Sequence, residues 1–255
     1  FNILTLNKIS KVGLDKLDPA KYTCSDSVEA PDAILVRSAS MHEMTLSPAT
    51  LAIGRAGAGV NNIPVADFGA QGVAVFNTPG ANANAVKELV LCSLFLASRK
   101  VASAVDWCKT LKGEGDAVGK LVEKGKSAFA GPEILGKTLG VIGLGAIGTL
   151  VAEGAKALGM NIVGYNPGLS EERIADLTSK GIKLMSSLDE LYAASDYITL
   201  HLPLNDSTRG MINGEAIAKM KDGVRILNFA RGELVDSDAL IAALGSGKAA
   251  AYVTD

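Results

Sequence analysis

Residues 138–148 read TLGVIGLGAIG, an apolar run that turns into a glycine-rich segment with the spacing G-x-G-x-x-G. The apolar run predicts a buried strand over residues 138–142, and the residues after the glycines predict an amphipathic helix. In this context Gly143 permits a tight turn, Gly145 lets the backbone approach a pyrophosphate, and Gly148 lets helix and strand pack closely. The amides and dipole of the helix N-terminus would receive the negative charge. The stretch therefore predicts a Rossmann-type dinucleotide site.

Short apolar runs rich in β-branched residues alternate with helical segments along the whole chain, which predicts an α/β protein with parallel sheets and crossover helices. The alternation forms two blocks. In the first block, strands are predicted over residues 2–6, 33–36, 51–55 and 73–76. In the second, a doubly wound Rossmann sheet is predicted, with strands over residues 138–142, 161–165, 182–185, 197–200, 224–228 and 249–253. Its helices are predicted over residues 146–158, 170–180, 187–194, 214–220 and 237–244.

A single long helix is predicted between the two blocks. Apolar residues recur at three- and four-residue steps over residues 84–111, which is typical of one helix with an apolar face. We place the domain boundary inside this helix, near Leu96, so that residues 1–96 form one domain and residues 97–255 the other. The segment 112–126 is rich in glycine and lysine and predicts an exposed excursion.

Composition and charge exclude several classes of protein. Of the 255 residues, 48% are hydrophobic and 20% charged, which is enough to bury a core. The net charge of -2 has no basic cluster, so a nucleic-acid partner is not expected. The longest apolar run, residues 89–97, is much shorter than the roughly 20 residues of a membrane span. No membrane partner is expected.

The cysteines and the start of the chain indicate its compartment. Cys24, Cys92 and Cys108 form no C-x-x-C pair and cannot make an even set of disulfides, which favours a reducing cytoplasm. They are interpreted as small apolar residues, and no metal site is predicted. The chain begins at Phe1 with a strand-like run and without a signal core, so we expect a trimmed start and not an export signal.

Polar and glycine-rich segments follow the predicted strands of the first block. They are residues 37–40, 57–62 and 77–82, and ligands collect beyond the carboxyl ends of strands in open α/β sheets. In the second block the segment NFARGELVD, residues 228–236, follows a strand and places Arg231 at the same kind of edge. A guanidinium there can bind a substrate carboxylate in a fork and polarise a carbonyl that accepts hydride. A surface salt bridge is the alternative interpretation.

The second Rossmann strand ends at Tyr165, where an acidic residue is expected about 20 residues after the glycines to accept hydrogen bonds from ribose. The chain has Asn166 instead. Asparagine can donate to and accept from ribose hydroxyls but lacks the charge that repels a 2′-phosphate, so discrimination against NADP is weakened. Residues 167–169 supply no arginine for that phosphate, and NAD is the predicted cofactor.

Several motifs taken together resemble a known family. The segment GLGAIG, the run His201-Leu202-Pro203-Leu204 with Thr208, and residues 228–236 are similar to the signatures of the D-isomer-specific 2-hydroxyacid dehydrogenases. Three more segments, RAGAGVNNI, FNTPGAN and KEL, resemble in particular the D-3-phosphoglycerate dehydrogenase branch; they span residues 55–63, 76–82 and 87–89. The resemblance covers essentially the full chain.

The resemblance implies a role for individual residues. Arg231 matches the catalytic arginine, and Asp255 matches the aspartate that holds the nicotinamide carboxamide. Arg37 and Arg55 match basic residues near a substrate phosphate. The implied substrate-binding residues are Arg37, Ser38, Arg55, Gly57, Ala58, Gly59 and Asn82. The implied cofactor-binding residues are Gly143, Gly145, Ala146, Ile147, Gly148, Asn166, His201, Pro203, Thr208, Asn228, Ala230 and Asp255.

The implied activity is oxidation of D-3-phosphoglycerate to 3-phosphohydroxypyruvate with NAD, the first step of serine biosynthesis. Hydride would leave the substrate C2 while a histidine, kept basic by a glutamate, removes the hydroxyl proton. In the family both of these residues match positions downstream of residue 255, so we expect this chain to bind cofactor without turnover. His201 is assigned to the cofactor cleft, and His42 to a solvated turn.

The resemblance also implies an architecture. The first block would be a flavodoxin-like substrate domain that a C-terminal segment completes, so it is expected to be incomplete here, and the long helix would contribute to a homodimer. Two other functions stay open. One is another D-2-hydroxyacid dehydrogenase or reductase, acting on glyoxylate, hydroxypyruvate or lactate-like acids. The other is a dinucleotide-sensing regulator similar to a corepressor.

Overall fold

The structure, a computed structural model, describes all residues 1–255 and divides into two compact units, Phe1–Asn82 and Ala83–Asp255. Both are α/β units built on parallel sheets, which confirms the predicted fold class. The division lies at the start of the helical region and not near Leu96. The reason is that Val90 and Leu94, from the first helix after the division, are completely buried in the core of the second unit.

The first unit is a five-stranded sheet. Its strands are β1 (Asn2–Leu6), β2 (Thr23–Ser25), β3 (Ala33–Val36), β4 (Ala52–Arg55) and β5 (Ala74–Phe76), and its helices are α1 (Lys11–Leu14) and α2 (Val65–Ala70). The strands are all parallel in the order β2-β1-β3-β4-β5, which is the flavodoxin-like order. Leu6 pairs with Val36, and Val36 pairs with Arg55. The carboxyl ends of β1, β3 and β4 are therefore level with one another.

The second unit is a six-stranded sheet with helices on both faces. Its strands are β6 (Thr138–Ile142), β7 (Asn161–Tyr165), β8 (Lys183–Leu184), β9 (Tyr197–Leu200), β10 (Val224–Asn228) and β11 (Ala249–Thr254). Its α-helices are α3 (Ala83–Arg99), α4 (Val101–Thr110), α5 (Val118–Gly125), α6 (Ala146–Ala157), α7 (Glu171–Ser179), α8 (Leu188–Ala194), α9 (Gly214–Lys219) and α10 (Ser237–Ser246). Short 3₁₀ helices cover Gly115–Ala117, Lys126–Phe129 and Gly232–Leu234.

All neighbouring strands of this sheet are parallel, in the order β11-β10-β9-β6-β7-β8. Counted from β6, this is the Rossmann order, which reverses direction between β6 and β9. Successive side chains of a strand point to opposite faces of the sheet and belong to two separate cores. Val141 belongs to the core formed with α3, α6 and α7, whereas Ile142 belongs to the core formed with α8, α9 and α10. The strands are continuous apolar runs because both faces are covered. No helix of the protein has the length and apolar character that crossing a membrane requires.

The region between the sheets differs from the prediction in two ways. The single helix predicted over residues 84–111 is interrupted at Lys100, whose φ of +49° is left-handed and separates α3 from α4. Next to this break Ser98 is fixed, because its hydroxyl bonds to the carbonyl of Leu94 and to the hydroxyl of Tyr197, 2.7 Å away. The apolar spacing continues across the break and does not reveal it. The predicted excursion over residues 112–126 also contains helix α5.

Candidate functional site

The glycine-rich turn between β6 and α6 is closed on its inner side and open on its outer side. Gly143 has φ of +94°, and a Cβ there would lie 2.5 Å from the carbonyl oxygen of His201. A Cβ on Gly148 would lie 1.9 Å from the carbonyl oxygen of Gly143. A Cβ on Gly145 would meet no atom within 4 Å. Gly145 is thus the one glycine of the three that leaves space on the side away from the protein.

The first turn of α6 offers free backbone N–H groups at this opening. No side chain caps the helix, whose N-cap residue is Gly145. Gly145 and Ala146 are exposed, Ile147 is half-buried, and Gly148 is buried. The uncapped amides carry the positive end of the helix dipole, which favours an anion. The open backbone and the free amides fit the pyrophosphate of a dinucleotide.

Asn166 follows β7 and contacts the same turn. Its Oδ1 accepts a hydrogen bond from the N–H of Leu144 at 2.9 Å, and its Nδ2 donates to the carbonyl of Pro167 at 3.0 Å. Both ends of the side chain are therefore bonded to the protein. The sequence predicts a ribose contact for Asn166, and the structure adds a contact to the glycine-rich turn that the sequence does not indicate.

The segment after β9 lies beside the turn. The N–H of His201 donates to the carbonyl of Ile142 at 2.8 Å, and its Nε2 lies 3.0 Å from the hydroxyl of Thr199, which is completely buried. Burial lowers the pKa of His201 to about 4. The hydroxyl of Thr208 donates to the carbonyl of Pro203 at 2.8 Å and holds the loop closed. His201 is therefore a neutral imidazole at physiological pH.

We expect the stability of the second unit to depend on the protonation of His201. Its pKa falls from 6.5 in the unfolded chain to about 4 in the folded protein, so the unfolded state binds the proton more readily. The free energy of unfolding should decrease as the pH falls from 6.5 to about 4, and His201→Asn should flatten this dependence. Urea unfolding followed by the fluorescence of Trp107, the only tryptophan, measures it. His42→Asn is the control, and a slope that survives His201→Asn would contradict the assignment.

Asn228 shapes the segment that carries Arg231. It ends β10 and is buried; its Nδ2 donates to the carbonyl of Arg231 at 2.8 Å, and its Oδ1 accepts from the N–H of Ala230 at 3.1 Å. The Arg231 side chain is exposed and forms no ion pair, and its Nη1 donates to the carbonyl of Ala230 at 2.7 Å. The alternative of a surface salt bridge thus has no support from the structure. The guanidinium is available to an external carboxylate.

The end of β11 lies against Asn228. Thr254 pairs with Asn228 in the sheet, and its hydroxyl donates to the carbonyl of Asn228 at 2.9 Å. Asp255, the next residue, is exposed. Since β6, β9, β10 and β11 are neighbours in the sheet, their carboxyl ends bring together the turn at Gly143, the loop at His201, Arg231 and Asp255.

In the first unit, the predicted substrate residues follow β3 and β4. Arg37 and Ser38 are exposed after β3, and Arg55 ends β4. Arg55 lies across Gly57: a Cβ on Gly57 would lie 1.5 Å from Nη1 of Arg55, and the φ of +148° also favours glycine. Asn82 is exposed at the end of this unit. The close approach of Arg55 and Gly57 places a cation beside the segment from Gly57 to Gly59, in which Ala58 is exposed and the two glycines are half-buried.

Three asparagines that the sequence analysis did not single out hold these loops. Asn7, directly after β1, has φ of +66°, and its Oδ1 accepts from the N–H groups of Ser38 and Ala39 at 3.0 and 2.5 Å. Asn62 donates to the carbonyl of Ala39 at 2.8 Å, and Asn77 donates to that of Ala58 at 2.7 Å. For Asn7 and Asn77 the available signal is an asparagine directly after a strand, because asparagine bonds to backbone groups and, as at Asn7, tolerates positive φ. Asn62 follows no strand and carries no such signal.

Comparison with known proteins identifies the family of the chain. Residues 91–255 match the family described as "D-isomer specific 2-hydroxyacid dehydrogenase, NAD binding domain". The chain is 42% identical over 224 residues to the D-3-phosphoglycerate dehydrogenase of Mycobacterium leprae, a match that covers 87% of this chain and 40% of the relative. It is also 42% identical over 220 residues to the hydroxypyruvate reductase of Thermotoga maritima, covering 85% of this chain and 66% of the relative.

A solved structure is similar over the whole chain. The glyoxylate reductase of Paecilomyes thermophila has a TM-score of 0.80 and 30% identity, and the match covers 100% of this chain and 80% of that structure. The chain spans 40% of the length of the mycobacterial D-3-phosphoglycerate dehydrogenase. The 2-hydroxyacid dehydrogenase fold and an NAD-binding domain are therefore shown for this chain.

Proposed function

Because the chain belongs to the D-isomer specific 2-hydroxyacid dehydrogenase family, we propose that it oxidises D-3-phosphoglycerate with NAD, as part of a D-3-phosphoglycerate dehydrogenase. The product is 3-phosphohydroxypyruvate. The observation that carries the proposal is the exposed Arg231, which forms no ion pair and lies three residues after the end of β10. In the sheet only β9 separates β10 from β6, the strand that leads into the open glycine-rich turn. Such an arginine binds a 2-hydroxy acid by its carboxylate, in a fork of two hydrogen bonds.

Each group of the second unit has a distinct task in this proposal. Bound NAD supplies the hydride acceptor. The free amides at Gly145 and Ala146 bind its pyrophosphate, and Asp255 accepts hydrogen bonds from its carboxamide. Arg231 orients the substrate carboxylate and stabilises the negative charge that develops on the substrate oxygen. These tasks are binding and orientation, which place the reacting carbon against the cofactor.

His201 is not the proton acceptor in this proposal; the hydroxyl proton goes to the histidine that the family resemblance implies downstream of residue 255. A general base for this oxidation works best with a pKa near the operating pH. The pKa of His201 is lowered to about 4, and its Nε2 is bonded to Thr199. The carbonyl of His201 instead packs against Gly143 and leaves no space for a Cβ there, so the His201 backbone borders the cofactor site.

The proposal is tested by binding and by substrate preference. We expect residues 1–255 to bind NADH, and NADPH more weakly. In a chain that includes the downstream glutamate and histidine implied by the family resemblance, NAD should be reduced faster with D-3-phosphoglycerate than with D-glycerate or D-lactate; absorbance of NADH measures the rates. Faster reduction of hydroxypyruvate by NADH, without a preference for phosphorylated acids, would favour the second candidate, a hydroxypyruvate reductase like the one in Thermotoga maritima. If a chain that includes the downstream glutamate and histidine bound NADH but turned over no 2-hydroxy acid, a regulator would be favoured.

The first unit provides the selectivity for phosphate in this proposal. Arg37 is exposed after β3, and charge-assisted hydrogen bonds contribute about 1.5–3 kcal/mol each. We expect Arg37→Ala and Arg55→Ala to reduce kcat/KM for D-3-phosphoglycerate by about tenfold or more, and that for D-glycerate much less. Lys16→Ala, which removes an exposed cation of the same unit that lies after α1, is the control. Equal losses on both substrates would rule out phosphate binding by these arginines.

We further propose that two copies of the chain associate through α3 and α4. Apolar side chains on these helices are exposed, with Phe95 at 43%, Val101 at 44% and Val105 at 52%. Val101, Val105 and Phe129 line an open groove of about 750 Å³ on this surface. An exposed apolar surface of this kind marks an interaction site. The partner proposed here is a second copy of the chain, because the family resemblance implies a homodimer.

Charge placed on this surface should separate the dimer. Val105→Glu should convert it to a monomer while NADH binding is retained, because Val105 is remote in sequence from the glycine-rich turn and buries nothing in the core. Sedimentation equilibrium gives the mass of each species. The control is Ile241→Glu, which places the same charge at an exposed apolar residue on α10. A native protein that sediments as a monomer would contradict the proposal.

A further inference from the structure

Both backbone groups of Leu144 are held by side chains from the next βα unit. Its N–H donates to Oδ1 of Asn166 at 2.9 Å. Its carbonyl accepts from Nη2 of Arg173 at 3.2 Å and from the hydroxyl of Thr149 at 3.2 Å. Arg173 is on α7, 29 residues along the chain from Leu144. A charged side chain therefore contacts the glycine-rich turn from the side opposite to the opening.

The carbonyl of Leu144 and the N–H of Gly145 belong to the same peptide group. That N–H donates to no group of the chain and begins the open face of the turn. Hydrogen bonds to a carbonyl polarise its amide and strengthen the donor at the other end. A guanidinium on the carbonyl of Leu144 therefore makes the N–H of Gly145 a better donor to an anion. It also fixes the direction of that N–H.

Arg173 is itself held in place. Its Nη1 forms an ion pair with Asp176, and its Nη2 donates to the hydroxyl of Thr149 at 2.8 Å. Lys180 bonds to Asp176 and Glu153 at 3.3 and 3.2 Å, and these contacts raise the pKa of Lys180. The network joins α6 to α7. The guanidinium, bonded to three groups of the protein, has a fixed position under the turn.

We propose that Arg173 is a positioning residue that orients and polarises the Leu144–Gly145 peptide for the pyrophosphate of the cofactor. The inference rests on the proposed function in that NAD binds at this turn. Arg173 does not touch the cofactor and acts through the peptide. Arg173 therefore contributes to the affinity for ligands that carry the pyrophosphate, and not to the affinity for the nucleoside alone.

The test compares ligands with and without phosphates on the 255-residue chain. We expect Arg173→Gln to weaken the binding of NADH and of ADP by about tenfold, because the Leu144–Gly145 peptide loses the charge that polarises and orients it. The affinity for adenosine should not change. Arg173→Lys, which keeps a charged donor, should restore most of the affinity. NADH fluorescence and calorimetry with ADP and adenosine give the dissociation constants.

The matched control is Lys180→Met, which removes the other cation of the same network without touching Leu144. It should lower thermal stability and leave all three affinities at the native value. The proposal is overturned if Arg173→Gln binds ADP with native affinity. It is also overturned if the variant loses affinity for adenosine by the same factor as for ADP.

Two further outcomes are decisive. If Arg173→Gln does not fold, Thr149→Val removes the hydroxyl that bonds to both Arg173 and the carbonyl of Leu144, with little change in shape. A selective loss of ADP affinity in Thr149→Val supports the proposal, and native affinity for ADP overturns it. A native chain that binds no NADH would overturn the proposed function itself, and the inference with it.

Discussion

Gly145→Ala should abolish most of the cofactor affinity of this protein while leaving its fold intact. A Cβ on Gly145 meets no protein atom within 4 Å, and the φ of -76° is one that alanine adopts freely. The apo protein should therefore keep its unfolding free energy within about 1 kcal/mol. The new methyl group would occupy the space into which the pyrophosphate must approach. We expect NADH to bind about 100-fold more weakly, which corresponds to about 2.8 kcal/mol.

Two other glycines provide the controls. Gly119, in α5, also has open space around its Cβ position, and Gly119→Ala should change neither NADH binding nor the fold. Gly148→Ala should instead destabilise the apo protein, because its Cβ would lie 1.9 Å from a backbone oxygen of Gly143. Titration of NADH fluorescence and urea unfolding separate the two effects. Native NADH affinity in Gly145→Ala would show that the pyrophosphate binds elsewhere.

The sequence predicts the central strands well because their physical signal is local. The strands Asn2–Leu6, Ala33–Val36, Thr138–Ile142 and Asn161–Tyr165 have the predicted bounds, as do β9 and β10. Each is an apolar run that is covered on at least one face and ends at glycine or polar residues. The strand Thr23–Ser25 was not predicted, since three residues of mixed polarity at a sheet edge carry no such signal.

The position of the candidate site residues could also be predicted, but their partners could not. Arg231 and His201 follow strands, and strand ends can be identified from the sequence. The contact of Arg173 with Leu144 and that of Asn7 with Ser38 join residues 29 and 31 positions apart. Such pairs depend on how neighbouring βα units pack. The break at Lys100 has the same origin, because tertiary contacts at Ser98 fix the chain there.

Substitution of Arg231 should have the second large effect, on substrate binding and turnover and not on cofactor binding. The side chain is exposed, forms no ion pair and follows a turn that Asn228 fixes, so its removal should leave the apo fold and the NADH affinity unchanged. In the proposed function it is the group that binds the substrate carboxylate and meets the charge that develops on the substrate oxygen. Loss of one such donor reduces turnover by about 10²–10³.

In a chain that includes the downstream glutamate and histidine, we therefore expect Arg231→Gln to reduce turnover of D-3-phosphoglycerate by about 10²–10³ and to weaken binding of 3-phosphohydroxypyruvate to the NADH complex. Arg231→Lys keeps the positive charge but not the fork of two donors, so its turnover should be about tenfold higher than that of Arg231→Gln. Rates of NAD reduction and the change in NADH fluorescence on adding 3-phosphohydroxypyruvate measure both quantities. If Arg231→Gln lost NADH affinity as well, the guanidinium would contact the cofactor. Native turnover in that variant would exclude Arg231 from the reaction altogether.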